Sequence, residues 1–276
     1  MTAERVPDGR FADVDGLKIH YREVGGGTPL VMLHGTGPGA SGWSNFRSTV
    51  PAFPDYRVIV PDLPRYGASS KVAITGPRLT VLSGIIAGFL DVVGVERAHF
   101  IGNSMGGQVA MKLAIDRPDR VDRVVVIGSP PLRASSMAPW PAEGIRLIEG
   151  YYRGDGPSLD KMRAIIRTLV YDQSYATEAV IADRYAASID PDVIAANAGP
   201  LWDREDLEGQ LGRLQAPMLL VWGQDDRAAS LDIALRMVRE LPNARLLLFS
   251  RCGHWAQVEH AAEFNAAVRT FLSIPL

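Results

Sequence analysis

A hydroxyl becomes a useful nucleophile near neutral pH only beside a base, and the base works best when a carboxylate orients it. The chain offers candidates for all three parts. The stretch FIGNSMGGQVA, residues 100–110, runs an apolar segment into Gly-x-Ser-x-Gly and then into small residues that suit a helix. That order of strand, sharp turn and helix is the nucleophile-elbow pattern, centred on Ser104. Gly102 and Gly106 bring no Cβ into so tight a corner, which leaves the Ser104 hydroxyl standing above the strand end. The motif alone is loose and arises by chance; the elements on either side give it weight. Opening the helix, the backbone N–H of Met105 points toward negative charge developing beside Ser104.

Five histidines compete to be the base. His20 falls in an N-terminal strand-like segment and His99 on the strand before the elbow, both suited to structural roles. His260 is placed in the last helix, facing solvent or an edge. His254, in RCGHWAQ directly after the apolar run LLLFS, occupies a loop at a strand end, where a side chain reaches an elbow. The acid should come from another strand-end loop lying between serine and histidine, and VWGQDDR supplies both Asp225 and Asp226. Spacing does not choose between them.

A glycine-rich loop, LHGTGPGASGW at residues 33–43, follows the first strong apolar run and is positioned to bring a second N–H, that of Thr36, to the same oxyanion. It lacks the Gly-Lys-Ser/Thr ending of a phosphate loop. His34 within it reads as a structural hydrogen-bonding residue.

The elements that must position these residues are legible as alternating signals. Short apolar runs at 30–35, 56–62, 98–102, 123–129, 217–223 and 244–250 read as strands covered on both faces. Helical stretches are predicted at 79–93, 106–115, 230–241 and 261–272, so the expected architecture is α/β, a mostly parallel central sheet flanked by helices. Residues 132–205 break the alternation and read as an inserted helical cap, leaving 1–131 and 206–276 as the core. At 276 residues the chain can bury one large core with a smaller appended unit. A formal charge of −2 leaves no electrostatic footprint for nucleic acid or an anionic membrane. The apolar stretch 79–90 is far shorter than the roughly 20 residues of a membrane span, and the N-terminus has no secretory pattern. Cys252 is the only cysteine, so the fold does not rest on a disulfide and the expected location is cytoplasmic. The histidines are dispersed and no metal or other cofactor is implied.

Assembled, these motifs resemble the meta-cleavage product hydrolases, carbon–carbon bond hydrolases of the α/β-hydrolase superfamily. The likeness covers nearly the whole chain through HGTGPGASGWSNF, GNSMGG, VYDQS followed by DRY, WGQDDR and CGHWAQVEHAAEFN. It implies the α/β-hydrolase fold and a triad of Ser104, Asp226 and His254, with Thr36 and Met105 as oxyanion donors. It also implies substrate contacts at Gly37, Asn45, Asn103, Ser174, Arg184 and Trp255, and self-association as a dimer or larger homo-oligomer. The implied substrate is a 2-hydroxy-6-oxo-hexa-2,4-dienoate from aromatic ring fission. Three positions depart from the family's pattern: Arg65 stands where glycine is common, no proline follows the acid in DDRAAS, and Thr36 replaces glycine or serine. Two other readings use the same residues, a general carboxylesterase or lactonase with this triad, and a noncatalytic receptor on this fold.

Overall fold

The computed structural model describes residues 6–72, 75–131, 135–198 and 203–274. Eight strands form one sheet in the order β1-β2-β4-β3-β5-β6-β7-β8. β1 (Gly9–Val14) and β2 (Leu17–Val24) make an antiparallel hairpin, and β2 pairs antiparallel with β4 (Tyr56–Pro61). From β4 onward, through β3 (Thr28–Leu33), β5 (Ala98–Asn103), β6 (Val121–Ile127), β7 (Met218–Gly223) and β8 (Ala244–Phe249), every pairing is parallel. β5 and β7 are buried at every residue, which explains why the apolar residues of β7 run unbroken and why β5 shows no alternation although it includes His99 and Asn103.

Two apolar layers sandwich the sheet. On one side α2 (Arg78–Val92), α3 (Met105–Asp116) and α8 (Leu231–Glu240) cover it, with Phe89, Phe100 and Trp222 fully buried. On the other, Phe46 of α1 (Gly42–Phe46) and Phe264 and Phe271 of α10 (Ala261–Ser273) pack on Leu30, Met32 and Val221. β3 is followed in sequence by its neighbour on one side, β4, and then the chain crosses to its other neighbour, β5. Where strand order reverses in this way a crevice opens at the carboxyl ends of the strands. The loops holding Thr36 and Ser104 leave from that place.

Between β6 and β7 the described residues form four α-helices, α4 (Glu143–Gly150), α5 (Leu159–Leu169), α6 (Glu178–Ser188) and α7 (Pro191–Ala198). Ser158 and Thr177 accept the N–H groups of Lys161 and Val180 and so start α5 and α6. The helices share a separate apolar cluster of Tyr151, Met162, Ile165, Ile166 and Leu169, and that cluster takes in Ala228 and Trp255 from the core loops. The first residues expected in the insertion, 132–134, lie outside the described residues. No helix of the described residues is long and apolar enough to cross a membrane.

One buried carboxylate organises the loops on the β4 side of the crevice. Asp62 accepts the first N–H of α1, from Gly42, at 2.7 Å, the N–H of Ala68 at 2.9 Å and His20 Nδ1 at 2.8 Å. Burial would raise its pKa, but the His20 bond, the nearby His34 and the two backbone donors outweigh burial and leave it below its ordinary value. A group depressed in this way contributes stability that is complete above the unfolded carboxylate pKa of about 3.9 and disappears as pH falls through the lower folded value. Asp62→Asn should therefore lower stability by about 1.5–3 kcal/mol or more, the range for a hydrogen bond to a charged group. Denaturant titrations should find that the variant loses less stability than the parent on acidification below about pH 4.

Candidate active site

Ser104 sits at the turn between β5 and α3 with φ 52° and ψ −119°, a conformation that side chains rarely adopt. Close approach forces it. A Cβ on Gly102 would lie 2.4 Å from the Cα of Gly107, one on Gly106 would lie 2.0 Å from the Leu33 carbonyl oxygen, and one on Gly107 would lie 2.1 Å from Ser129 Oγ. The Ser104 N–H donates to the Ile127 carbonyl at 2.9 Å, and its own carbonyl accepts the N–H groups of Gly107 and Gln108. Met105 opens α3, so its N–H has no carbonyl within the helix to bond. Ser104, Met105, Thr36 and Gly37 all line one cavity of about 290 Å³. The insertion completes its wall with Ile145, Ile148, Tyr152 and Ala187.

His254 and Asp226 form a buried pair. His254 Nδ1 lies 2.7 Å from Asp226 Oδ2, and the other carboxylate oxygen accepts the N–H groups of Ala228 and Ala229, both at 2.8 Å. An ionised carboxylate can only accept, so Nδ1 carries the hydrogen and Nε2 keeps its lone pair, the tautomer a general base requires. Asp225, which spacing did not distinguish, is exposed, and its backbone N–H donates to the Cys252 carbonyl. Gly128, with φ 51°, escaped the sequence reading. A Cβ there would stand 2.7 Å from His254 Nδ1 and 2.8 Å from Asp226 Oδ2, so the end of β6 is bare where the pair lies against it. The signal was present as the glycine ending the run VVVIG.

Asn103 ties the two halves together. Its amide nitrogen donates to the Ile127 carbonyl at 3.0 Å and to the His254 carbonyl at 3.3 Å, so its donors hold backbone rather than point at a ligand. Asn45 likewise serves the scaffold: its Oδ1 accepts the Gly35 N–H at 3.2 Å, shaping the loop that carries Thr36. In that loop the Thr36 hydroxyl lies 2.6 Å from Tyr66 Oη. His34 is fully buried, accepts the Leu63 N–H at Nε2 and bonds the Gly35 carbonyl through Nδ1; burial lowers its pKa. The other His–Asp pair, His20 with Asp62, has no comparable opening, since Gly9 approaches so closely that a Cβ there would lie 2.3 Å from His20 Nε2. His260 belongs to neither helix interior but joins α9 (Ala256–Glu259) to α10, where it ends one and starts the other.

Arg184, on α6, is 7% exposed, and its Nε donates to the Pro38 carbonyl at 3.0 Å. Its Nη2 would be 3.0 Å from a Cβ on Gly37, and its guanidinium lies 5.9 Å from the centre of the Trp255 ring. Burial pushes its pKa down to about 10, against the opposing influence of the phenols of Tyr66, Tyr152 and Tyr151. It is still a cation at neutral pH, and among the described residues no carboxylate forms an ion pair with it. Among the expected contacts Gly37 lines the cavity while Asn45, Asn103, Arg184, Trp255 and Ser174 do not, and Ser174 is the one that is exposed. It sits on the turn Gln173–Tyr175, where its N–H donates to Asp172. The short polar run that holds it forms that turn. Arg65 does line the cavity, from a backbone at φ 77°, and donates to the Ala196 carbonyl at the end of α7.

An eight-stranded sheet with a serine at the β5–α3 turn and an Asp–His pair from the loops after β7 and β8 defines an α/β hydrolase. The chain belongs to the alpha/beta hydrolase family, whose profile matches residues 30–267. Within it the chain stands among the meta-cleavage product hydrolases. It is 42% identical over 265 residues to a 2-hydroxy-6-oxononadienedioate/2-hydroxy-6-oxononatrienedioate hydrolase of Paraburkholderia phymatum, covering 93% of this chain and 91% of that one. Over 270 residues it is 40% identical to a 2-hydroxy-6-oxo-6-phenylhexa-2,4-dienoate hydrolase of Comamonas testosteroni, covering 94% and 93%. The solved meta-cleavage product hydrolase of Pseudomonas fluorescens superposes with a TM-score of 0.87 at 31% identity, covering 96% and 97%.

Replacing the acid by its amide should invert the hydrogen bond to Nδ1 and fix the wrong tautomer. Asp226→Asn is expected to lower kcat by about 10⁴-fold while unfolding stays cooperative, whereas Asp225→Asn should leave kcat unchanged; steady-state kinetics of the two variants checks both.

Proposed function

We propose that this enzyme cleaves the carbon–carbon bond of a 2-hydroxy-6-oxo-hexa-2,4-dienoate produced by meta-fission of an aromatic ring, giving a 2-hydroxydienoate and a carboxylic acid. The observation that carries this reading is Arg184, a buried cation with which no carboxylate of the described residues pairs, set against the loop that holds Thr36 and Gly37. Leaving such a charge unpaired is costly. A substrate carboxylate entering beside it makes charge-assisted bonds worth about 1.5–3 kcal/mol each and fixes which end of the dienoate goes in first.

The chemistry then follows from where electrons must go. The C5–C6 bond breaks only if the departing carbon's electron pair is delocalised. His254 therefore first moves the proton of the 2-hydroxyl to C5, which turns the dienol into a ketone. In the next step it takes the proton from the oxygen that attacks C6, either that of water or that of Ser104, whose ester a water molecule activated by the same imidazole then hydrolyses to the acid. The N–H groups of Thr36 and Met105 bind the oxyanion formed at C6. When that intermediate collapses, C6 becomes the carboxylic acid or its Ser104 ester, and C5 departs with the bonding electrons as a dienolate, protonated to the 2-hydroxydienoate. Trp255 and the insertion helices wall this chemistry from water. Residues 132–205 serve as a lid on a core of 1–131 and 206–276.

Purified protein mixed with a yellow ring-fission dienol should bleach its visible absorbance, across a panel of 6-substituents. Arg184→Ala should reduce kcat/KM on the preferred dienol by about 10- to 100-fold, the equivalent of one charge-assisted hydrogen bond. It should leave turnover of p-nitrophenyl acetate, which has no carboxylate, nearly unchanged. A protein that turns over the acetate faster than every dienol, indifferent to Arg184→Ala on both, is a general esterase instead.

A further inference from the structure

One carboxylate outside the proposed chemistry is shared between the histidine loop and the helical insertion. Glu259, at the end of α9, accepts the Gly253 N–H on Oε1 at 2.8 Å. Its Oε2 accepts the N–H groups of Tyr171 and Asp172, at 2.8 and 2.9 Å, from the segment that follows α5. Among the described residues no lysine or arginine forms an ion pair with it. The two segments also touch directly. The His254 N–H donates to the Leu169 carbonyl at 2.8 Å, and Gly253 packs so closely that a Cβ there would stand 2.7 Å from Leu169 O and 2.9 Å from Tyr171 N. Arg251 lies over the Tyr171 ring at 5.8 Å, and the Tyr175 hydroxyl donates to the Glu259 carbonyl at 3.4 Å.

We propose that Glu259 is a positioning residue that locks residues 169–172 of the insertion to the loop carrying His254, so that the imidazole is placed for proton transfer only while that segment is seated. The inference rests on the reading of His254 as the base. Its force comes from how the oxygens are divided: one holds the residue immediately before His254, the other holds two successive amides of the insertion. Neither segment can slide along the other without breaking a bond to a rigid three-atom carboxylate. A displacement of about 1 Å at a base can cost 100-fold in rate. A staple that served folding alone would lower stability and leave the base in place.

The test uses a fluorophosphonate, which reports base-assisted reactivity of Ser104 whatever the natural substrate. Glu259→Ala, and Glu259→Gln, which keeps the volume but only one acceptor oxygen, should slow phosphonylation of Ser104 by about 10- to 100-fold. On the preferred dienol both should lower kcat with KM little changed. The Gln variant carries the test if the Ala variant does not fold. Variants that unfold at lower temperature yet label and turn over at the parent's rates would overturn the proposal while leaving the triad intact. Ser104→Ala labelling like the parent would instead overturn the triad reading itself, and this inference with it.

Discussion

The backbone of Ser104 is held in a strained conformation, and the site is arranged around that point. A non-glycine residue at φ 52° costs on the order of 1–3 kcal/mol and persists only where its surroundings leave no alternative. Those surroundings are the close contacts of Gly102, Gly106 and Gly107 with β3, α3 and Ser129, together with the Ser104 N–H bond to Ile127. The strain aims one hydroxyl into the cavity and presents the first N–H of α3 beside it. Because β5 lies next to β3 in the sheet, the same corner faces the Thr36 loop, and the backbone N–H groups of Thr36 and Met105 follow two strands that the topology makes neighbours.

The helical insertion is fastened to the loops that hold Asp226, Thr36 and His254 and to the loop after β4. At the acid loop, Arg227 pairs with Glu143 and its carbonyl accepts the Gly144 N–H at the start of α4. At the oxyanion loop, Arg184 bonds Pro38. From the loop after β4, Arg65 reaches Ala196 at the end of α7, the carbonyl end where a cation is favoured. At the histidine loop the backbone of Leu169 bonds His254. The exposed pair Arg227–Glu143 adds little energy by itself. The buried contacts matter more, since each places a polar group of the insertion where water no longer competes for it.

Much of this was legible in residue order, and the limits have physical reasons. The inner parallel strands declared themselves because burial on both faces leaves apolar runs, the edge strand β8 did so through its leucines although most of its residues are only partly buried or exposed, and the elbow did so because only glycines fit around it. The hairpin of β1 and β2 was seen only as one strand-like segment around His20, since its exposed face dilutes the apolar pattern. His254 stood out as a histidine at a strand end, but Asp225 and Asp226 differ only in which way a turn points them. Asn103 and Asn45, expected at the substrate from the resemblance, also bond backbone partners 24 and 10 residues away in sequence, which no local pattern reveals. Gly128 and Glu259 went unnoticed for the same reason: their importance lies in what comes close to them from distant segments.

A crystal structure of the protein inactivated with a phosphonate tests the strained corner and its partners in one measurement. The expected result is a single covalent bond from Ser104 Oγ to phosphorus, with His254 Nε2 beside it. The phosphoryl oxygen should sit about 2.7–3.1 Å from the N–H groups of both Thr36 and Met105. A phosphonate attached to another residue, or one on Ser104 whose oxygen turns away from both amides, would contradict it.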